Sequence, residues 1–228
     1  MNILALDTSM GACSAAVLRE GSGARGLFAR EALMARGHAE TLMPMIAEVM
    51  DEARLDFAGL DLIAATTGPG TFTGVRIAIA AARGLALVTR AKLYGTDSLA
   101  VMARSARAAC DLAAAFAVAV DARRGMLYLG LYDRAGRKLD GPLLIAPDDA
   151  VGLLPKDLLT VVGSGSPLLA EAAAVRGRQL QALLPELQPS ASALAEIALE
   201  SSETVSVLRP LYLRPPDARP QATAVARR

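Results

Sequence analysis

Residues 66–76, TTGPGTFTGVR, set three glycines and a proline between an apolar run at 60–65 and a long Ala-rich run. This pattern predicts a strand that turns sharply into a helix. Turns of this kind often hold phosphate, because bare backbone N–H groups and a helix N-terminus attract anions. The spacing of Gly68, Gly70 and Gly74, however, is G-x-G-x-x-x-G, one residue longer than the dinucleotide-binding pattern. Val75-Arg76 also stands where a P-loop carries its lysine. The loop itself leaves two readings open. It is either a rigid turn, stiffened by Pro69 with Thr73 as the helix N-cap, or a phosphate loop that has lost its standard form.

Outward from the loop, the chain reads as two alternating blocks. Before it, strands are expected at 2–6, 12–19 and 26–34, with a tight turn at 7–11 and a hairpin loop at 20–23. A helix at 38–53 and a strand at 61–67 follow. After it come a helix from 75 to about 89 and a strand at 92–95. The second block begins after a helical run at 97–109. It offers strands at 115–121, 126–132 and 138–145, a short helix at 148–154, a strand at 159–162 and helices at 166–175 and 190–200. Prolines at 210, 215 and 216 exclude regular helix from the tail. Three hairpin-linked strands followed by helix, strand and helix describe an RNase H-like unit, and the order occurs twice. The expected fold is α/β: two tandem RNase H-like subdomains of the actin, hsp70 and sugar-kinase type, each a mixed five-stranded sheet with flanking helices. The subdomains are expected at 1–102 and 103–228, the second with the Pro-rich tail.

Composition narrows the function classes. An apolar fraction of 53% in 228 residues supplies ample core. No run of 18 uncharged apolar residues occurs, so no membrane span is expected. Asp7 comes too early for a signal peptide. Cys13 and Cys110, far apart in apolar surroundings, read as reduced thiols of a cytoplasmic protein. A net charge of +1 argues against a chain that grips nucleic acid alone over a large surface. The 21 Arg against 3 Lys fit a GC-rich genome, and they are compatible with a partner-binding surface without showing one.

The chemistry-bearing residues are few. Asp7-Thr8-Ser9, on the turn after the first strand, can ligate a phosphate-bound magnesium or merely cap the turn. His38 is the only histidine, and an H-x-x-x-H metal site would need a second imidazole where Leu42 stands. With one His and two scattered Cys, no ordinary zinc or iron site assembles, so no metal is expected. His38 then reads as a helix-start residue. An ATPase or small-molecule kinase of the same fold would use Asp7 for magnesium, Asp121 as base and an adenosine loop near Gly163-Ser164-Gly165. No lysine lies near these to bind phosphate. A glycoprotease-like metallopeptidase of the M22 type is a third reading, and the missing ligands weigh against it.

A resemblance now becomes specific. Ile3-Leu4-Ala5-Leu6-Asp7-Thr8-Ser9 with Ala12-Cys13-Ser14, and His38-Ala39-Glu40 with Leu42 and Pro44, resemble the opening of the TsaB (YeaZ) family. Gly68-Pro69-Gly70-Thr71-Phe72-Thr73-Gly74-Val75-Arg76-Ile77 is that family's most recognisable segment. Arg83-Gly84-Leu85-Ala86-Leu87, Asp121-Ala122-Arg123-Arg124-Gly125 with Tyr128, and Pro210-Leu211-Tyr212-Leu213-Arg214 also match, so the resemblance runs nearly end to end. It implies two actin-like subdomains and a part in making threonylcarbamoyladenosine, beside the anticodon of tRNAs that read ANN codons. In that role the chain is a non-catalytic partner of the paralogous catalytic subunit TsaD, working with the ATPase TsaE, while a separate enzyme supplies the activated adenylate. TsaD carries the H-x-x-x-H pair that this chain lacks. The same resemblance implies a homodimer when alone and tRNA contacted through the complex. It also implies no stoichiometric cofactor, with any ATP or ADP held weakly and only at the TsaD interface. Asp7, Thr8, Ser9, Gly68, Gly70 and Gly74 then form a vestigial phosphate or nucleotide loop.

What remains for such a chain is to bind, and two helices are expected to do it. In 38–53, Ala39, Leu42, Ile46, Val49 and Ala53 make one apolar face at 3–4 spacing, and Met43, Ala47 and Met50 a second strip beside it, with Met45 flanking. Pro44 implies a kink or a helix start near Thr41. The helix after the Gly loop is apolar almost all round, with Arg76, Arg83 and Arg90 seven apart. One sheet face cannot bury such a helix, and its Ala and Gly residues allow another helix to approach closely. The expected partner surface is Met43, Ala47, Met50, Arg76, Ala80, Arg83 and Leu87.

Overall fold

The computed structural model describes residues 1–21 and 25–214. Part of the hairpin expected at 20–23, and prolines 215 and 216 of the tail, lie outside them. Two five-stranded sheets form, and their topologies match. In the first, β1 (Asn2–Asp7), β2 (Ala12–Arg19) and β3 (Gly26–Leu33) make an antiparallel meander, with β4 (Leu62–Thr66) and β5 (Lys92–Thr96) added in parallel beside β1. In the second, β6 (Phe116–Asp121), β7 (Leu127–Tyr132) and β8 (Lys138–Ile145) make the meander. There β9 (Thr160–Val162) and β10 (Gln181–Leu183) follow in parallel beside β6. The expected duplication holds, and β10 completes a sheet whose fifth strand had no sequence signal.

Both sheets are buried on two faces, which explains their continuous apolar runs. Leu4 and Leu6 of β1 face one core with α1 (His38–Glu52) and α2 (Phe72–Thr89), while Ile3 and Ala5 face the other way. The period of two sends alternate side chains to opposite faces, so the second face needs its own cover. That cover is α6 (Ala191–Glu200), whose Leu194, Ala195 and Ala198 pack on Ile3, Ala5 and Ala16. The stretch from Ala191 to Leu208, grouped by sequence with 103–228, therefore packs on the first sheet. Periodicity shows that a helix has an apolar face, but not which sheet it covers. The second sheet takes α4 (Pro147–Leu153) and α5 (Ser166–Val175) on one face and α3 (Ser98–Ala109) on the other. Helix α3 serves both lobes, with Val101 in the core under α6 and Leu99, Met102 and Ala106 in the second lobe.

One helix start differs from expectation, and another falls at the expected residue. Helix α2 begins at Phe72, three residues early, because Thr71 rather than Thr73 is the N-cap and its hydroxyl accepts from Gly74 N at 3.1 Å. Helix α1 runs from His38 straight through Pro44. Proline has no N–H to donate, so the helix simply forgoes one bond there.

By length and composition α2, with 18 residues and a mean hydropathy of 1.4, could cross a bilayer. Its Val75, Ala78, Ile79 and Ala82 are buried against the first sheet and its Arg76 and Arg83 are exposed. It is a core helix with one bare face.

Candidate functional site

The turn at 7–9 and the loop at 68–74 are packed into each other. Thr71 N donates to the Ser9 carbonyl at 2.8 Å, and the Thr8 hydroxyl donates to the Gly74 carbonyl at 2.6 Å. Ala78 N donates in turn to Thr8 Oγ1 at 3.1 Å, so that hydroxyl is spliced into the first turn of α2. A Cβ at Gly74 would lie 2.0 Å from the Thr8 carbonyl oxygen, and one at Gly70 2.3 Å from that of Ser9. The bare backbone of this loop serves the chain's own turn. Neither Gly70 nor Gly74 leaves room for a side chain against that turn.

Asp7 ends β1 fully buried. Its carboxylate accepts from the Ser9 hydroxyl at 2.8 Å, from Ser9 N at 3.2 Å and from the Thr66 hydroxyl. Desolvation raises it to about 6 in spite of these donors. Ser9 also accepts from the Ser98 hydroxyl at 3.0 Å. Neither Asp7, Thr8 nor Ser9 lines the large cleft between the lobes. Gly163 and Gly165 are likewise committed: a Cβ at either would lie 2.6 Å from a neighbour, the Ala119 carbonyl oxygen and Leu127 Cδ2 respectively. The Ser164 hydroxyl accepts from Asp121 N at 3.1 Å. Asp7 and the glycines at 163 and 165 are thus packed into the fold, whereas the Asp121 carboxylate reaches the cleft.

The cleft encloses about 1540 Å³. Arg36, Arg76, Arg123, Arg124 and Arg214 line it, against the carboxylates of Glu40 and Asp121. His38 lines it too, with Nε2 3.1 Å from the Met10 carbonyl oxygen. At its mouth Phe72 and Tyr212 stack with centroids 5.6 Å apart, and the Arg76 guanidinium lies 3.5 Å over the Phe72 ring and donates to Tyr212 Oη at 2.7 Å. The segment 208–214 straps the lobes together across this cleft. Leu208 is buried in the first lobe, Leu211 N donates to the Thr67 carbonyl at 2.7 Å, and Arg214 donates to the Ala122 carbonyl at 3.2 Å. The turn that Arg214 grips has three consecutive positive φ angles, at Arg123 (62°), Arg124 (56°) and Gly125 (69°). For a non-glycine residue each costs roughly 1–2 kcal/mol, offset here by the bonds to Arg214 and by Arg123 N donating to Asp121 Oδ1 at 2.7 Å. Phe72, Arg36 and the strap were missed as site residues. The readable signal was an exposed aromatic next to arginine in Leu211-Tyr212-Leu213-Arg214.

The outer face of α1 and α2 is the other feature. Of the seven residues expected on a partner surface, Met43, Ala47, Arg76, Ala80, Arg83 and Leu87 are exposed. Met50 is not: it is 3% exposed and packs in the core with Leu42, Ile46 and Val49. Leu87 and its neighbour Val88 are each 85% exposed and, with Ala80 and Gly84, leave the outer face of α2 apolar.

The family model described as TsaD, tRNA N6-adenosine threonylcarbamoyltransferase, matches residues 31–194. The chain is similar to the tRNA threonylcarbamoyladenosine biosynthesis protein TsaB of Escherichia coli, 35% identical over 134 residues, which span 59% of this chain and 56% of that one. It is 29% identical to the protein of the same name from Haemophilus influenzae over 94% of each chain. The structure of YeaZ from Pseudomonas aeruginosa superposes with a TM-score of 0.75 at 32% identity, covering 93% of this chain and 99% of that one. With its duplicated sheets, its packed Gly loop and these likenesses along nearly its whole length, the chain belongs to the TsaB/YeaZ family.

Proposed function

We propose that this chain is the non-catalytic docking subunit of a tRNA threonylcarbamoyladenosine-forming complex, supporting a TsaD-type transferase together with TsaE. The exposed apolar strip of α1 and α2 carries the reading. A helix apolar all round with only its inner face buried needs a second surface, and Ala47, Ala80 and Gly84 offer the small side chains that let another helix approach closely. The same strip supports self-association when the partner is absent. The reacting groups belong to the partner. Asp7, the carboxylate best placed by sequence for metal-assisted phosphate chemistry, is sealed in the fold.

The test is reconstitution. A TsaD-type subunit with TsaE, activated threonylcarbamoyl donor and unmodified tRNA should form modified adenosine rapidly only when this chain is added. The chain alone should turn over no ATP. Equal modification without it, or ATP turnover by the purified chain that Asp7→Asn abolishes, contradicts the reading and favours the kinase-like one.

A further inference from the structure

We infer that the cleft between the lobes is a path for a single-stranded RNA segment; this rests on the reading just given and names what its cleft holds. Three observations converge. The cleft is open to solvent and large, about 1540 Å³, beyond the roughly 300–1,000 Å³ of ordinary small-molecule sites, so it has room for a polymer segment. Among the described residues its walls bring five arginines against two carboxylates, and an anionic backbone is what such a surface attracts. Its mouth carries an aromatic platform, with Phe72 54% and Tyr212 47% exposed and Arg76 laid over the Phe72 ring. Exposed aromatic rings beside a basic groove are how proteins hold unpaired bases without reading sequence.

The placement fits an assembly. Phe72 and Arg76 lie at the N-terminal end of α2, and Ala80 and Leu87 lie further along the same helix. An RNA carried by a subunit docked on that helix meets the cleft mouth directly. The chain's net charge of +1 keeps the contact weak by itself, so the RNA is held jointly. Arg36 has no carboxylate partner among the described residues, and the Arg123 side chain, although 3.4 Å from the Asp121 carboxylate, is 86% exposed.

Fluorescence anisotropy of a labelled, unmodified tRNA transcript, titrated with the chain–transferase complex across a range of salt, tests this. The variant is Arg36→Ala with Arg123→Asn, asparagine being the residue that tolerates the left-handed backbone at 123. The complex should weaken about tenfold or more at low salt, and the salt dependence should flatten by about one to two contacts. Arg36→Ala alone should show part of the effect without touching the strained turn. If the parent complex binds and modifies the tRNA while both variants match it in affinity and salt slope, the cleft is not the RNA path and only this inference falls. If ATP at equal charge displaces the RNA from the parent cleft and binds it more tightly, the site is a nucleotide site and the inference is overturned. A parent chain that changes neither RNA binding nor modification overturns the functional reading as well.

Discussion

Asp7 ends the central strand with no exposed surface, and three donors surround it. Burial still wins, raising it from 3.8 to about 6. The folded chain therefore binds this proton more tightly than the unfolded chain does. The stabilisation is fully present below about pH 4 and is lost as pH rises to about 6. Asp7→Asn removes the titration. The difference in unfolding free energy between variant and parent should move in the variant's favour by about 2 kcal/mol from pH 4 to pH 7, as read from urea melts at each pH. A difference that stays constant with pH contradicts the assignment. Ser9, two residues on, was legible in the sequence as a local partner of Asp7. Thr66 was not, because it comes from another strand 59 positions away and only the parallel pairing of β1 with β4 brings it near.

At the scale of elements, the Gly loop is a joint between strand, turn and helix. One helix offers opposite tests of that claim. Gly74→Ala would push a Cβ to 2.0 Å from a backbone oxygen, which cannot retreat as a flexible side chain does. It should cost about 2–3 kcal/mol or more. Gly84→Ala, on the same helix with open space around it, should instead stabilise by about 0.5–1 kcal/mol. Thermal unfolding of both variants decides the matter, and equal tolerance of the two would contradict the packed-joint account. That glycines at 70 and 74 meant a tight place was legible from spacing; what pressed against them was not. What presses against them is the backbone of the turn at 7–9.

In the whole molecule, the duplicated sheet order could be read from sequence because both meanders are hairpin-linked and their apolar runs are continuous. The return of α6 to the first sheet could not, since an Ala-rich helix fits either lobe. The surface assignment needed the structure in the same way. Periodicity gave two apolar strips on α1 and could not say which one faced the sheet, and Met50 turned inward while Met43 and Ala47 stayed out. On α2 the exposed strip is now fixed as Ala80, Arg83, Gly84, Leu87 and Val88. A glutamate placed there is harmless in water and costly once a partner covers it. An unpaired charge buried at such a seam costs on the order of 3–5 kcal/mol, or about a hundredfold or more in affinity. The central claim is therefore tested most directly by titrating the TsaD-type subunit with Ala80→Glu and Ala47→Glu and comparing each affinity with that of the parent. The account predicts a loss of about a hundredfold or more with an unchanged melting temperature and a monomeric free chain. Parent-like binding by two well-folded variants would contradict it.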